Sequence, residues 1–215
     1  ILDGKVRSPW YDEECRRAIH PSDIAQEQDI DFIGSAATYF ETDLLNRVIA
    51  EHCMEPTSRG MLEFDPQSIE PKRYSSAAKG RLLLWCNLAN NSPMHDRSYA
   101  IGIDVASGTG NSNSAIVIGD IKSMEQVAEY SDPWIRPEEL ADLAVALARW
   151  FYDSDGDPAF MIWEAAGPGR NFEGRIKDIG FRNFYRRQDE RSLVRKKTSN
   201  IPGWWPSKGG KQQLY

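Results

Sequence analysis

Two acidic residues sixty positions apart, Asp104 and Glu164, each close an apolar run and open a glycine-containing turn. The first run is Tyr99 to Ala106, YAIGIDVA, and the second is Ala159 to Glu164, AFMIWE. In an extended strand alternate side chains face opposite sides, so Tyr99, Ile101, Ile103 and Val105 share one face while Ala100, Gly102, Asp104 and Ala106 share the other. An acid at a strand end, followed by the polar stretch SGTGNSNS over 107–114, suits a metal or phosphate site. If the two strands are parallel neighbours, their C-terminal ends coincide and the carboxylates face each other across a small gap. Two carboxylates that close repel, and they must share a proton or be neutralised by cations. Mg²⁺ and Mn²⁺ take carboxylate oxygens and keep waters, and two such ions roughly 3.5 to 4 Å apart clamp the attacking and leaving oxygens of a phosphodiester. The plainer alternative is two unrelated acids that cap their loops.

The elements that must position these acids are legible in part. Tyr99 to Ala106, Ser114 to Gly119 and Gln126 to Tyr130 read as three successive strands. Pro137 to Tyr152 is an amphipathic helix with Leu140, Leu143, Ala144, Leu147 and Trp150 on one stripe, opened by Pro137-Glu138-Glu139. After the breaker DSDGDP over 153–158 come the second acidic strand, a helix opened by Gly167-Pro168-Gly169 and running to Ile179, and a short strand from Asn183 to Arg186. This order predicts an α/β layout, a mixed sheet with packed helices.

Upstream, residues 1–54 read as helical, with Ser22 an N-cap and with Leu44, Leu45, Val48 and Ile49 on the stripe of a helix over Thr42 to His52. Residues 55–97 read as a connector that contributes one edge strand, Arg81 to Cys86, with a boundary near 87–97. Residues 98–215 form the remaining domain. The chain starts without Met and stops after KQQLY, which we read as a piece of a longer polypeptide.

The chain has 215 residues, 40% of them hydrophobic, enough for an ordinary core. No run reaches the roughly 18 apolar residues of a membrane span, and the N-terminus ILDGKVRSPW lacks the regions of a signal peptide. Cys15, Cys53 and Cys86 are too few and too scattered for a disulfide framework or a zinc cluster, which favours a reducing setting. The net charge of −6 hides an asymmetry: residues 170–215 hold twelve Lys or Arg against four acids, a net +8 that leaves −14 on the first 169 residues. A basic block on an acidic body points to a local polyanion surface, with Arg170, Arg186, Arg187, Arg195, Lys196, Lys197 and Lys208 as candidate phosphate contacts. Each of these charges alone can equally be a solvated face. The pair Trp204-Trp205 can stack on bases, although packing or loop anchoring is the more common use of such a pair.

The order IGIDVASGTGNSNSAIV, MIWEAAGPG, NFYRR and IPGWW resembles the nuclease domain of phage terminase large subunits, and SPWYDEECRRAIHPSDIAQEQDIDFIGSAATYF resembles the end of the ATPase domain that precedes it. The resemblance covers most of 8–40 and 98–206. It implies an RNase H-like mixed sheet flanked by helices, preceded by a mostly helical end of the ATPase domain. It also implies a two-metal endonuclease that cuts concatemeric DNA during viral genome packaging. Asp104 matches the family's first acid, which bridges both Mg²⁺ or Mn²⁺ ions, and Glu164 matches the second. The third acid of the family has no counterpart before Tyr215, which implies a C-terminally incomplete domain and a weakened or absent cutting activity. The chain lacks a GxxxxGK[ST] loop, so no ATPase activity follows from it, and Ala166 stands where the family often carries Asn.

By the same resemblance the partners are double-stranded DNA, the portal and the small terminase subunit, with no membrane. The chain would be oligomeric in the motor and monomeric alone, in the cytoplasm of an infected bacterial host. Two other readings share these residues. GIDVASGTGNSNSAIV is also similar to the first phosphate loop of actin-like and sugar-kinase ATPases, which would need a second phosphate hairpin. A non-catalytic DNA-docking module of the packaging motor is the other.

Overall fold

The computed structural model describes residues 8–17, 42–188 and 198–204. The chain divides into two compact units, Ile1–Met54 and Glu55–Tyr215.

In the first unit α1 spans Pro9–Arg17. Ser8 caps it, its Oγ accepting the Tyr11 backbone N–H at 3.1 Å with Pro9 in the first helical position, where a missing N–H does no harm. The second helix, α2, spans Thr42–His52 as its apolar period predicts, and its Leu44, Leu45, Val48 and Ile49 are exposed. Ser22 lies outside the described residues.

The second unit is built on a seven-stranded mixed sheet. Its strands are β1 (Ser58–Phe64), β2 (Pro71–Ser76), β3 (Leu82–Leu84), β4 (Tyr99–Asp104), β5 (Ser114–Asp120), β6 (Gln126–Asp132) and β7 (Phe160–Trp163). They lie in the order β2-β1-β3-β6-β5-β4-β7. Every neighbouring pair is antiparallel except β4 and β7. The parallel pair needs a crossover, and α3 (Pro137–Trp150) provides it. Helix α4 (Gly169–Ile179) follows β7, and a separate ribbon pairs β8 (Arg186–Gln188) with β9 (Thr198–Pro202). The meander β4-β5-β6, with β7 added parallel to β4, is the RNase H-like arrangement expected from the sequence.

One face of this sheet carries the core. Tyr99, Ile101 and Ile103 of β4 are buried, as are Ile116 and Ile118 of β5 and Met161 and Trp163 of β7. Register pairs them laterally, Ile101 with Ile118 and Met161, Ile103 with Ile116 and Trp163, so they form one continuous apolar layer. Burying each such side chain contributes roughly 1.5 to 3 kcal/mol. Both helices cover this layer. From α3, Leu140, Ala141, Ala144, Leu147 and Ala148 are fully buried, the alanines letting the helix lie close to the strands. Phe151 meets the edge of the Tyr99 ring at a centroid distance of 5.0 Å. On α4, Phe172 packs on Trp163 at 5.3 Å. Arg175 Nε donates to Asp142 Oδ1 at 2.6 Å and ties α4 to α3.

Two expectations are corrected. Residues 55–97 contribute three strands to the sheet instead of one, and Leu82–Leu84 lies inside it between β1 and β6, with β2 at the edge. The charged stretches 58–64 and 71–76, the second opened by Pro71, become strands because their partners complete the ladder: Leu62 pairs with Tyr74, both buried. The short strand expected over 183–186 reduces to one parallel bridge, Met161 with Phe184, and the ladder proper starts at Arg186 with β9 as partner.

Candidate functional site

Asp104 ends β4 on the face away from the helices, in the alternation of buried Ile101 and Ile103 with exposed Gly102 and Asp104. Glu164 follows β7 directly. The parallel register runs Gly102 with Ile162 and Ile103 with Trp163, so its next step brings Asp104 beside Glu164. Adjacent strands lie about 4.8 Å apart, which puts the two side chains on one open face within reach of a shared cation. Asp104 is exposed and Glu164 half-buried.

The row continues past Glu164. A parallel bridge joins Glu164 to Trp204. The Ala165 N–H donates to the Trp204 carbonyl at 2.8 Å, and the Trp204 N–H donates to the Trp163 carbonyl at 2.8 Å. Bridge partners point to the same side of a sheet, so the Trp204 side chain stands next to the Glu164 carboxylate. A cleft of about 450 Å³ opens along this row, with Gly102, Ala115, Val117 and Ile162 in its lining beside Asp104, Glu164 and Trp204.

Two glycines hold the frame. A Cβ on Gly169, at the start of α4, would stand 2.0 Å from the Glu164 carbonyl oxygen, so only glycine lets the helix begin against the strand end. Gly203 has φ +72°, and a Cβ there would stand 2.9 Å from both Ala165 Cβ and Trp163 Nε1. That Nε1 is buried and has no hydrogen-bond partner among the described residues.

The polar loop after β4 is occupied with its own fold. The Ala106 N–H donates to the buried Ser114 Oγ at 3.0 Å, the Gly110 N–H donates to the Pro133 carbonyl at 2.8 Å, and Ser107 Oγ and Thr109 Oγ1 are hydrogen-bonded at 3.0 Å.

Among the described residues no group of three or more His, Cys, Asp or Glu is arranged to hold a metal ion. The two carboxylates supply hard oxygen donors of the kind Mg²⁺ and Mn²⁺ accept while keeping waters, and the open cleft leaves room for those waters and for a phosphate. The donor set fits such an ion, with coordination completed from outside the pair.

The basic candidates divide. Arg170 is exposed on the first turn of α4, six residues after Glu164. The Arg186 guanidinium lies over the Phe184 ring, 4.9 Å from its centroid. Arg187 Nε donates to the Gly203 carbonyl at 3.3 Å, next to Trp204. Arg195, Lys196, Lys197 and Lys208 lie outside the described residues. Trp204, not a phosphate or metal candidate from the sequence, is anchored to β7 through its backbone and has its side chain in the lining of the cleft. No period-2 pattern announces it, because its place comes from a bridge to a residue forty positions away.

Away from the cleft, Asp120 is a buried carboxylate, 3% exposed. Burial pushes its pKa up, but the Ser123 and Lys122 N–H groups and the Arg97 guanidinium, 2.7 Å away, outweigh that and hold it below the ordinary value of 3.8.

No protein-family model matches the chain, and no curated protein matches it. Among solved structures it is similar to the large terminase nuclease from thermophilic phage G20c. The magnesium-bound form aligns at 16% identity over 64% of this chain and 58% of that chain, with a TM-score of 0.43. The cobalt-bound form aligns at 15% over 64% and 57%, TM-score 0.44, and the zinc-bound form at 15% over 54% and 59%, TM-score 0.39. The alignments thus span less than two thirds of those phage chains.

Proposed function

We propose that this chain is part of a viral terminase large subunit and that its second unit is a divalent-metal-dependent nuclease acting on DNA phosphodiesters. The observation that carries this reading is the lateral pair Asp104 and Glu164 at the ends of two parallel strands, on the sheet face that α3 and α4 leave open. Asp104 and Glu164 would together hold the Mg²⁺ or Mn²⁺ ions through their carboxylate oxygens. Bound there, such ions supply water activation near neutral pH and charge neutralisation at the phosphodiester. The protein's own part is positional. Register keeps the two carboxylates adjacent, Gly169 lets α4 start against the Glu164 carbonyl, and no side-chain nucleophile is required.

Arg170, Arg186, Arg187 and the segment carrying Arg195, Lys196, Lys197 and Lys208 would bind phosphates without reading sequence. The wider setting follows from the same reading: concatemeric double-stranded DNA as substrate, the portal and small terminase subunit as partners, and an infected bacterial cytoplasm. Among the described residues no helix is long and apolar enough to cross a membrane.

The nucleotide-cradle alternative asks the 107–114 loop to offer free N–H groups to phosphates. The Gly110 N–H is already donated to the Pro133 carbonyl, and the Ala106 N–H just before the loop to Ser114 Oγ, which takes these two donors from such a cradle. The discriminating test is direct. Calorimetry should show Mn²⁺ bound by the chain, and Asp104→Asn or Glu164→Gln should abolish that binding together with any nicking of supercoiled plasmid that the wild type shows. Nicking that survives Asp104→Asn, or Mn²⁺ binding equal in all three proteins, overturns the proposal.

A further inference from the structure

We propose that the cleft beside the carboxylates is a nucleobase subsite in which Trp204 stacks one unpaired base of the strand whose phosphate lies at Asp104 and Glu164. The proposal rests on the nuclease reading and adds the state of the substrate strand, namely locally single-stranded.

Three observations converge on it. The first is position. Asp104, Glu164 and Trp204 stand in one row on one sheet face, so a strand whose phosphate sits at the carboxylates brings a neighbouring base over the indole.

The second is the chemistry of the lining. A site that met only phosphate and hydrated ions would be polar throughout, yet Gly102, Ala115, Val117 and Ile162 give this cleft an apolar floor, and Val117 is 40% exposed in it. An apolar floor with an indole wall suits a flat, weakly polar ring. Arg187, whose guanidinium donates to the Gly203 carbonyl next to Trp204, favours a polyanion that carries such rings over an apolar peptide.

The third is rigidity. The Trp204 backbone bonds to β7 and its extension through two contacts of 2.8 Å, and Gly203 before it is packed against Trp163 and Ala165. An indole fixed in this way loses little freedom on stacking, which is the condition for an effective platform. A base in a duplex has both faces covered by its neighbours, so only an unstacked base can use it.

Gly102 offers a test that leaves Trp204 intact. A Cβ built there meets nothing within 4 Å, so a side chain fits the fold and projects into the cleft. The probe is a single-stranded DNA decamer with one 2-aminopurine, titrated with the chain in low-salt buffer with Ca²⁺, which neutralises the carboxylates. Its fluorescence should be quenched on binding to wild type. Trp204→Leu and Gly102→Val should each weaken binding about tenfold or more and remove the quench. Trp204→Phe should keep part of both, Gly102→Val should keep the wild-type unfolding midpoint, and the blunt duplex of the same sequence should show no quench.

Wild-type binding and quenching in both Trp204→Leu and Gly102→Val overturns the subsite. So does a loss confined to Trp204→Leu with a lowered unfolding midpoint while Gly102→Val binds normally. The nuclease reading is scored separately by calorimetric Mn²⁺ binding in Asp104→Asn. If that variant loses Mn²⁺ while the cleft variants bind DNA as wild type, the subsite alone has failed; if it still binds Mn²⁺ as wild type while the cleft variants lose the base, the nuclease reading alone has failed.

Discussion

Asp104 and Glu164 stand one step beyond the Ile103–Trp163 register pair, on adjacent parallel strands, with both carboxylates on the face away from the helices. Like charges opposite one another on a sheet destabilise it, by about 0.2 to 1 kcal/mol. Without divalent metal, Asp104→Asn should therefore raise the unfolding free energy by about 0.5 kcal/mol. Saturating Mn²⁺ should raise the wild-type midpoint and leave that of Asp104→Asn in place, because the proposed ion site needs both carboxylates. Thermal melts of both proteins with EDTA and with Mn²⁺ measure this, and an equal metal shift in the two would separate the carboxylates from the metal.

Gly169 and Gly174 lie on the same helix and should respond with opposite signs. A Cβ at Gly169 would collide with the Glu164 carbonyl, so Gly169→Ala should cost about 2 kcal/mol and blunt the Mn²⁺ response by displacing Glu164. At exposed Gly174 a Cβ meets nothing within 4 Å, and Gly174→Ala should stabilise by about 0.5 to 1 kcal/mol through helix propensity alone. Denaturant unfolding of the two variants checks the pair.

The Asp120 carboxylate has its pKa held below the ordinary value in the folded chain. Its ionised form therefore adds stability that is fully present above the unfolded value of about 3.9 and is lost as pH falls through the lower, folded one. Asp120→Asn should cost about 2 kcal/mol at pH 7, since it removes the charge that holds Arg97 and weakens the acceptor for the Lys122 and Ser123 N–H groups. The deficit should shrink below pH 4. Urea unfolding at pH 7 and pH 3 tests the sign.

The basic candidates make a prediction about salt. If the segment carrying Arg195, Lys196 and Lys197 touches phosphates, replacing all three with Ala should lower duplex affinity and reduce the slope of log affinity against log salt by about 2 to 3. Arg170→Ala alone should reduce it by about 1. Fluorescence anisotropy across a salt series reads both, and an unchanged slope would move the DNA to another face.

The strands that carry the acids were legible because their pattern is local. Tyr99 to Asp104 alternates buried and open positions residue by residue, and Pro137-Glu138-Glu139 opens α3 where a helix start is expected. The flanking strands β1 and β2 were not legible, since Arg59, Glu63, Lys72 and Arg73 break any apolar run and only cross-strand partners such as Leu62 and Tyr74 make the ladder.

By itself the sequence determined that two apolar strands each end in a carboxylate, because residue type and alternation are properties of the chain alone. Only the tertiary structure decided that those strands are parallel neighbours in register, that Trp204 extends their row and that the apolar floor between them stays open. Strand pairing is a contact between segments distant in sequence, and no local period encodes which partner a strand takes.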